Sequence, residues 1–125
     1  MSKRMSIFLA AAVAALAARG AMAEDDATKG QAVFKRTCAV CHTVEAGKNK
    51  IGPSLFGVVG RKSGAIEGFN YSPAMKGANL TWAPEQLDAY LADPKKAIPG
   101  NRMAYAGLKK AQERQDVIAY LAAQK

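Results

Sequence analysis

Two cysteines and a histidine occur within one five-residue stretch of the chain. Cys38, Cys41 and His42 form a Cys-x-x-Cys-His motif, and the 125 residues contain no other cysteine or histidine. Two thiols at this spacing lie on one helical turn, where both can reach the vinyl groups along one edge of a porphyrin. The imidazole of the next residue can then bind the iron. The motif therefore indicates covalent attachment of one haem c through Cys38 and Cys41, with His42 as an iron ligand.

The same three residues admit other kinds of site. A thioredoxin-like pair of redox-active thiols is disfavoured because the chain lacks the βαβ pattern of that fold. A structural zinc site normally has four ligands, and no second pair of cysteine or histidine ligands follows the motif. A buried cysteine pair beside a surface histidine is the non-functional alternative. A thiol oxidoreductase or a metal-binding module stays open as an alternative function.

Iron that is bound by a haem and one histidine has a second axial position to fill. The chain has no second histidine, and after residue 23 its only methionines are Met75 and Met103. A thioether suits low-spin haem iron, although lysine, tyrosine or an open position would also satisfy the sequence. Spacing alone favours Met103, in an apolar loop over 99–107, over Met75, which lies closer to His42. An open position would instead make the protein a haem enzyme or a gas sensor.

The elements that would carry these residues are helices separated by glycine- and proline-rich loops. The predicted helices are 27–37, a short one begun by Ser72-Pro73 and ended by Gly77, 83–92, and 109–123. The stretch 47–68 is predicted as loop and 94–107 as mostly loop, and no strand alternation occurs. The fold class is therefore all-α with long loops, and such loops need a buried group to pack against.

The first 23 residues have the three parts of a secretory signal peptide. Lys3 and Arg4 supply positive charge, and 7–18 is an apolar run too short to span a bilayer of about 30 Å. Small residues then offer a cleavage site after Ala23. We expect cleavage to leave 24–125 as one soluble domain exported to the periplasm, with an uncleaved anchoring helix as the alternative.

The chain is basic, with 18 Lys and Arg against 10 Asp and Glu and a formal charge of +8. Removal of the signal peptide leaves 15 basic and all 10 acidic residues, a charge of +5. This charge suits nucleic acid, an anionic membrane or an acidic protein, and export makes nucleic acid the least suitable partner. No acidic residue occurs over 94–112, where five basic residues bracket Met103. With two lysines that follow the motif, the predicted docking residues are Lys48, Lys50, Lys95, Lys96, Arg102, Lys109 and Lys110.

Several further segments match a known family in order and spacing. They are the stretch CAVCHTVE from Cys38, Gly52-Pro53, Gly60-Arg61-Lys62, 68–71, Leu80-Thr81-Trp82, 93–96, Ile98-Pro99-Gly100, Met103, 107–110 and 116–121. Over nearly all of 29–122 the chain resembles class I cytochromes c, in particular bacterial cytochrome c2 and mitochondrial cytochrome c. The resemblance implies that 24–125 is a cytochrome c domain, in which helices and long loops enclose one covalently attached haem.

The resemblance also implies roles for individual residues. The residues at cofactor-binding positions are Cys38, Cys41, His42, Pro53, Arg61, Tyr71, Trp82, Tyr90 and Met103. Among them, His42 and Met103 correspond to the two iron ligands, and the carbonyl of Pro53 receives the ring N–H of His42. Tyr90 corresponds to a tyrosine near the ligand sulfur. The residues that hold a haem propionate are Arg61, Tyr71 and Trp82.

Five positions depart from the mitochondrial pattern of this family. Met75 stands where an asparagine of an internal water network is usual. Asn101 replaces a threonine near the ligand, and Tyr105 replaces a phenylalanine at the exposed haem edge. Ala32 and Thr37 stand where interface lysines are common. These departures bear on the reduction potential and on partner preference, and not on haem attachment.

Histidine and methionine ligation without an open site suits one-electron transfer and not catalysis. The resemblance therefore implies a monomeric periplasmic carrier without enzymatic activity. Such a carrier takes electrons from a quinol-oxidising cytochrome complex of the bc1 type and delivers them to a cytochrome oxidase or a photosynthetic reaction centre. Its expected partners are the acidic docking faces of these membrane complexes, which it binds transiently.

Overall fold

The computed structural model of the protein describes residues 26–125, so the predicted signal peptide over 1–23 lies outside the described residues. The helices in this range are α1 (Ala27–Thr37), α2 (Pro73–Lys76), α3 (Pro84–Ala92), α4 (Pro94–Ala97) and α5 (Ala111–Ala122). Between 26 and 125 there is no β-strand, only an isolated β-bridge between Lys62 and Thr81, and no helix long and apolar enough to cross a membrane. The predicted all-α class with long loops is confirmed.

Side-chain caps set where the first two helices begin. The Asp26 carboxylate accepts hydrogen bonds from the N–H groups of Thr28 and Lys29, at 2.9 and 3.1 Å, which starts α1 where the sequence predicts it. Ser72 Oγ accepts a hydrogen bond from the N–H of Met75 at 3.0 Å and starts α2 in the same way. Both starts were predictable because the capping residue lies next to the helix in the sequence.

The stretch predicted as mostly loop over 94–107 contains one short helix. Asp93 Oδ1 accepts a hydrogen bond from the N–H of Lys96 at 3.3 Å, and Pro94 occupies the first turn, where no backbone donor is needed. The stretch is mostly loop, as predicted, but the sequence analysis did not identify α4, because the glycines and prolines around it outweighed the local Asp-Pro start signal. Helices α3 and α5 begin one and two residues later than predicted.

Helices α1 and α5 cross closely at Gly30. A side chain at this position would run into the backbone carbonyl of Asp116 and the Cβ atom of Tyr120. Next to the crossing, the ring centroids of Phe34 and Tyr120 lie 5.5 Å apart. The crossing fixes the position of α1, from whose carboxyl end the attachment motif continues.

The substitution Gly30→Ala should lower the free energy of unfolding by about 1–3 kcal/mol, because the added methyl group overpacks the crossing. This loss is expected even though alanine is the better helix former. Urea unfolding of the haem-containing protein measures the change. The control Gln31→Ala, on the exposed side of the same helix, should shift the value by less than about 0.5 kcal/mol. Equal stability of the Gly30→Ala and parent proteins would contradict the tight crossing.

Buried apolar side chains from the helices and the loops form one cluster. Its members are Val33, Phe34, Val58, Trp82, Leu87, Tyr90, Ile98, Val117, Ile118 and Leu121. Met75 and Met103 are half-buried and pack against it. Val58, Leu87 and Val117 also line a cavity, so the core is built around an internal space.

Candidate functional site

A cavity with a volume of about 280 Å³ lies against the core and is lined mostly by apolar side chains. All nine residues predicted to bind the cofactor line it, namely Cys38, Cys41, His42, Pro53, Arg61, Tyr71, Trp82, Tyr90 and Met103. The structure therefore brings residues that are widely separated in the sequence to one place. Of the seven predicted docking residues, Arg102 also lines the cavity.

The attachment motif forms a tight turn directly after α1. The backbone N–H groups of Cys41 and His42 both donate to the carbonyl of Cys38, at 3.1 and 3.0 Å. Both cysteines are free thiols, and they line the cavity together with the imidazole. One turn of backbone thus presents two thiols and an imidazole to the same space, as the spacing of the motif requires.

The Cys38 thiol is protonated at neutral pH. Burial, with a smaller contribution from Cys41, raises the pKa of Cys38 to about 11. Reactive thiols of the thioredoxin type have a lowered pKa instead, since the thiolate is the nucleophile. The environment of Cys38 therefore counts against the thiol oxidoreductase alternative.

His42 is held as a neutral imidazole with one nitrogen already engaged. Its Nδ1–H donates to the carbonyl of Pro53 at 2.8 Å, since a carbonyl can only accept, and Nε2 is left with its lone pair. Burial lowers the pKa of His42, the hydrogen bond to Pro53 opposes this effect, and the charges of Arg61 and Lys50 lower the pKa further. A neutral imidazole with a free Nε2 is the form that binds iron.

The two methionines that the sequence left as candidate ligands both line the cavity, and their surroundings differ. The Tyr90 hydroxyl donates towards Met103 Sδ at 3.9 Å. Burial raises the pKa of Tyr90 to about 12, so this hydroxyl keeps its proton and remains a donor. The Met103 N–H donates to Asn101 Oδ1 at 2.9 Å, and the Asn101 amide in turn donates to the carbonyls of Pro94 and Ile98, each at 2.8 Å. Met103 is therefore fixed through both its backbone and its sulfur.

Arg61 supplies a buried donor that has no partner in the protein. Its two terminal nitrogens donate to the carbonyls of Phe56 and Ser54, at 3.0 and 3.1 Å. Its Nε is buried and makes no hydrogen bond to any residue over 26–125. Buried donors are almost always satisfied, and a carboxylate is a strong acceptor for a guanidinium. An orphaned Arg61 Nε beside an apolar cavity thus fits a haem, whose propionates are carboxylates.

Tyr71 and Trp82 are the other two residues predicted to hold a propionate, and both are buried side chains that line the same cavity as Arg61. The Tyr71 hydroxyl accepts a hydrogen bond from the N–H of Ile66 at 3.1 Å, which leaves its own proton available to a further acceptor. Trp82 packs against Tyr90 with ring centroids 5.0 Å apart. Tyr71 thus retains a donor for an acidic group, and Trp82 forms part of the apolar wall.

All seven predicted docking residues are exposed, but several already have partners. Lys48 pairs with Glu45 at 3.1 Å, and Lys110 lies 3.9 Å from Glu113. Lys50 Nζ donates to the Ala39 carbonyl at 2.7 Å and so lies against the attachment turn. Lys109 Nζ donates to the carbonyls of Ala92 and Ala106, each at 3.2 Å. The remaining three are Lys95, Lys96 and Arg102. Exposed ion pairs are weak, so the paired lysines remain able to exchange partners.

Many of the residues that line the cavity were not among the predicted site residues, and two of these are joined by a side-chain hydrogen bond. Thr37 and Tyr105 both line the cavity, and Thr37 Oγ1 donates to the Tyr105 hydroxyl at 2.8 Å. The sequence marked each one only as a departure from the family pattern. Nothing in the sequence indicates that they meet, because they lie 68 positions apart.

Comparisons with known proteins agree with this geometry. The family model described as cytochrome c matches residues 27–125. Cytochrome c from Gibberella zeae is 54% identical over 101 residues, which is 80% of this chain and 95% of that protein. Cytochrome c2 from Agrobacterium tumefaciens is 50% identical over 102 residues, 78% of this chain and 91% of that protein. The solved structure of cytochrome cH from Methylobacterium extorquens superposes with a TM-score of 0.73 at 43% identity, covering 78% of this chain and 97% of that one. The class I cytochrome c fold implied by the sequence resemblance is confirmed.

Proposed function

The chain belongs to the cytochrome c family, and from that premise we propose that it is a periplasmic one-electron carrier. Proteins of this family bind haem c covalently, so this chain binds haem c with its iron. When bound, the haem exchanges single electrons with redox partners. In the proposed route, a quinol-oxidising complex of the bc1 type supplies the electron, and a cytochrome oxidase or a photosynthetic reaction centre accepts it. The signal-peptide features of the first 23 residues support the periplasmic location.

The observation that carries this proposal is the meeting of two thiols, an imidazole and a thioether at one apolar cavity. Cys38 and Cys41 would hold the haem covalently, each by addition of its S–H across one vinyl group, which forms a thioether with no net change in oxidation state. His42 binds the iron through Nε2. The Pro53 carbonyl fixes the ring orientation and makes the imidazole a stronger electron donor.

We assign Met103 as the second axial ligand. The Tyr90 hydroxyl near its sulfur and the Asn101 amide at its backbone support this assignment, since both hold Met103 in place at the cavity. With His42 and Met103 both holding the iron, the chain itself would leave no iron position open for a substrate or a gas. The protein therefore acts as a carrier, and not as a haem enzyme or a gas sensor.

Arg61 and Tyr71 receive a haem propionate in this proposal. A propionate oxygen satisfies the orphaned Arg61 Nε, and the free Tyr71 hydroxyl proton gives it a second donor. Trp82 belongs to the same predicted group and closes the apolar side of the cavity. Burying a carboxylate is costly without such donors, so these residues would determine the orientation in which the haem binds in the cavity.

Production of the full chain in a host that attaches haem tests this function. Intact-mass measurement should show one haem per chain and cleavage after Ala23. The oxidised protein should show a weak sulfur-to-iron absorption band, and a bc1-type complex should reduce it. Rapid binding of carbon monoxide or cyanide at neutral pH would indicate a haem enzyme or a sensor instead. Two titratable thiols and no added haem mass would indicate a thiol oxidoreductase.

The proposed docking face includes Arg102 at the cavity and meets acidic surfaces of the membrane complexes. Arg102 lines the cavity beside Met103, and Lys50 lies against the attachment turn. Lys95, Lys96 and the other exposed basic residues of the same stretch add to the positive field. A small, wet and weakly bound interface suits a carrier that must dissociate after each electron.

The rate of electron transfer should therefore depend on salt. We expect the second-order rate with a membrane partner to fall on the order of tenfold as the ionic strength rises from about 10 to about 200 mM. Arg102→Ala should lower the rate at low salt and flatten this dependence. Stopped-flow measurements compare it with Lys125→Ala, which removes an exposed charge that does not line the cavity. A rate independent of salt would rule out electrostatic docking.

A further inference from the structure

One hydrogen bond spans the two parts of the chain that hold the proposed iron ligands. Thr37 is the last residue of α1, directly before the attachment turn, and Tyr105 lies two residues after Met103. Thr37 Oγ1 donates to the Tyr105 hydroxyl at 2.8 Å, and both side chains are half-buried at the cavity wall. A contact of this kind links the histidine side of the site to the methionine side.

The segment that carries Met103 has little regular structure of its own. Helix α4 ends at Ala97 and α5 begins at Ala111, and the stretch between them is loop. Asn101 anchors the beginning of this loop, and the Leu108 N–H donates to the Leu91 carbonyl at 2.7 Å near its end. Tyr105 lies between these anchors. Loops with few backbone hydrogen bonds open more readily than helices, so a side-chain bond at this point affects how often the loop leaves the cavity.

We propose that Thr37 and Tyr105 form a clasp that keeps the Met103 loop closed and so holds Met103 on the iron. They are positioning residues, since neither is a ligand. The proposal rests on the proposed function, because it takes Met103 as the second axial ligand. The clasp raises the population of the closed loop. An added ligand that competes with Met103 for the iron can therefore bind only after the loop has opened.

Imidazole is a suitable probe, because it binds oxidised haem iron only where the methionine has left. We compare the haem-containing parent with Thr37→Val and Tyr105→Phe, each of which removes one hydroxyl and keeps the shape. Each variant should bind imidazole about fivefold more tightly at neutral pH, which corresponds to the loss of one partly buried hydrogen bond. The sulfur-to-iron band should disappear at correspondingly lower imidazole concentrations.

A double variant tests whether Thr37 and Tyr105 act through the same hydrogen bond. The double variant Thr37→Val with Tyr105→Phe should bind imidazole as tightly as either single variant, because the same bond is lost in each case. Thr37→Ser keeps the hydroxyl and should bind imidazole with the same affinity as the parent. The controls Thr81→Val and Tyr120→Phe remove hydroxyls from residues that do not line the cavity, and their affinity should match that of the parent.

Parent-like imidazole affinity in both single variants would overturn the clasp, and so would effects that multiply in the double variant. Neither result would test the assignment of Met103 as an iron ligand, which a separate measurement decides. If Met103→Ala keeps the sulfur-to-iron band, the assignment of Met103 fails, and the proposed closure over the iron fails with it.

Discussion

Met103→Ala is expected to abolish the sulfur-to-iron absorption band and to lower the reduction potential by on the order of 0.1–0.3 V, within the range that axial ligands control. A thioether stabilises reduced iron, so its loss shifts the balance towards the oxidised form. The iron then takes water or another side chain and becomes high-spin or misligated. Absorption spectra of both redox states and a potentiometric titration measure the two effects. A small hydrophobic side chain at 103 also leaves Tyr90 without its sulfur partner.

Met75→Ala is the matched control, because Met75 lines the same cavity and packs against the same core. We expect the band and the iron ligation to persist in this variant. The free energy of unfolding should fall by about 1–2 kcal/mol, since part of a half-buried side chain is lost. The reverse pattern, with the band lost in Met75→Ala and kept in Met103→Ala, would show that the second ligand has been assigned to the wrong methionine.

The parts of this site that the sequence predicted are those that depend on short spacing. Cys38, Cys41 and His42 lie on one turn, so their common orientation follows from the backbone alone. The starts of α1 and α2 were predictable for the same reason, since the capping residues Asp26 and Ser72 lie directly before their helices. The family resemblance then indicated which distant residues join them, and all of those residues line the cavity.

The parts that the sequence could not predict depend on contacts between distant segments. The hydrogen bond between Thr37 and Tyr105 joins residues 68 positions apart, and each residue alone is compatible with an ordinary surface position. The charge pattern predicted a set of basic residues but not that Lys50 lies against the Ala39 carbonyl or that Lys48 pairs with Glu45. Such contacts follow from how the loops fold around the cavity, which no local pattern specifies.

Gly52 faces the ring of His42 so closely that no side chain fits between them. A Cβ atom at this position would lie 2.6 Å from His42 Nδ1 and 2.7 Å from Nε2, well inside van der Waals contact. The ring has little freedom to retreat, because Nδ1 is hydrogen-bonded to the carbonyl of Pro53, the next residue along the chain. The Gly52 backbone is itself tied to the attachment turn, since its N–H donates to the Cys41 carbonyl at 2.8 Å. A methyl group at 52 must therefore displace the imidazole or break one of these two bonds.

We expect Gly52→Ala to lower the free energy of unfolding of the haem-containing protein by at least about 3 kcal/mol, above the usual cost of overpacking. The ring would also turn away from the iron, so the yield of correctly ligated haem should fall, as absorption spectra and urea unfolding would show. Gly57→Ala is the control: Gly57 has a φ of +67° with no atom within 4 Å of a Cβ, so only backbone strain of about 1–2 kcal/mol is expected. The two variants separate steric displacement of the ligand from loss of backbone freedom, because Gly52 is not among the residues with positive φ. If Gly52→Ala is no worse than Gly57→Ala and keeps normal ligation, then the close approach of Gly52 to the imidazole does not fix the orientation of His42.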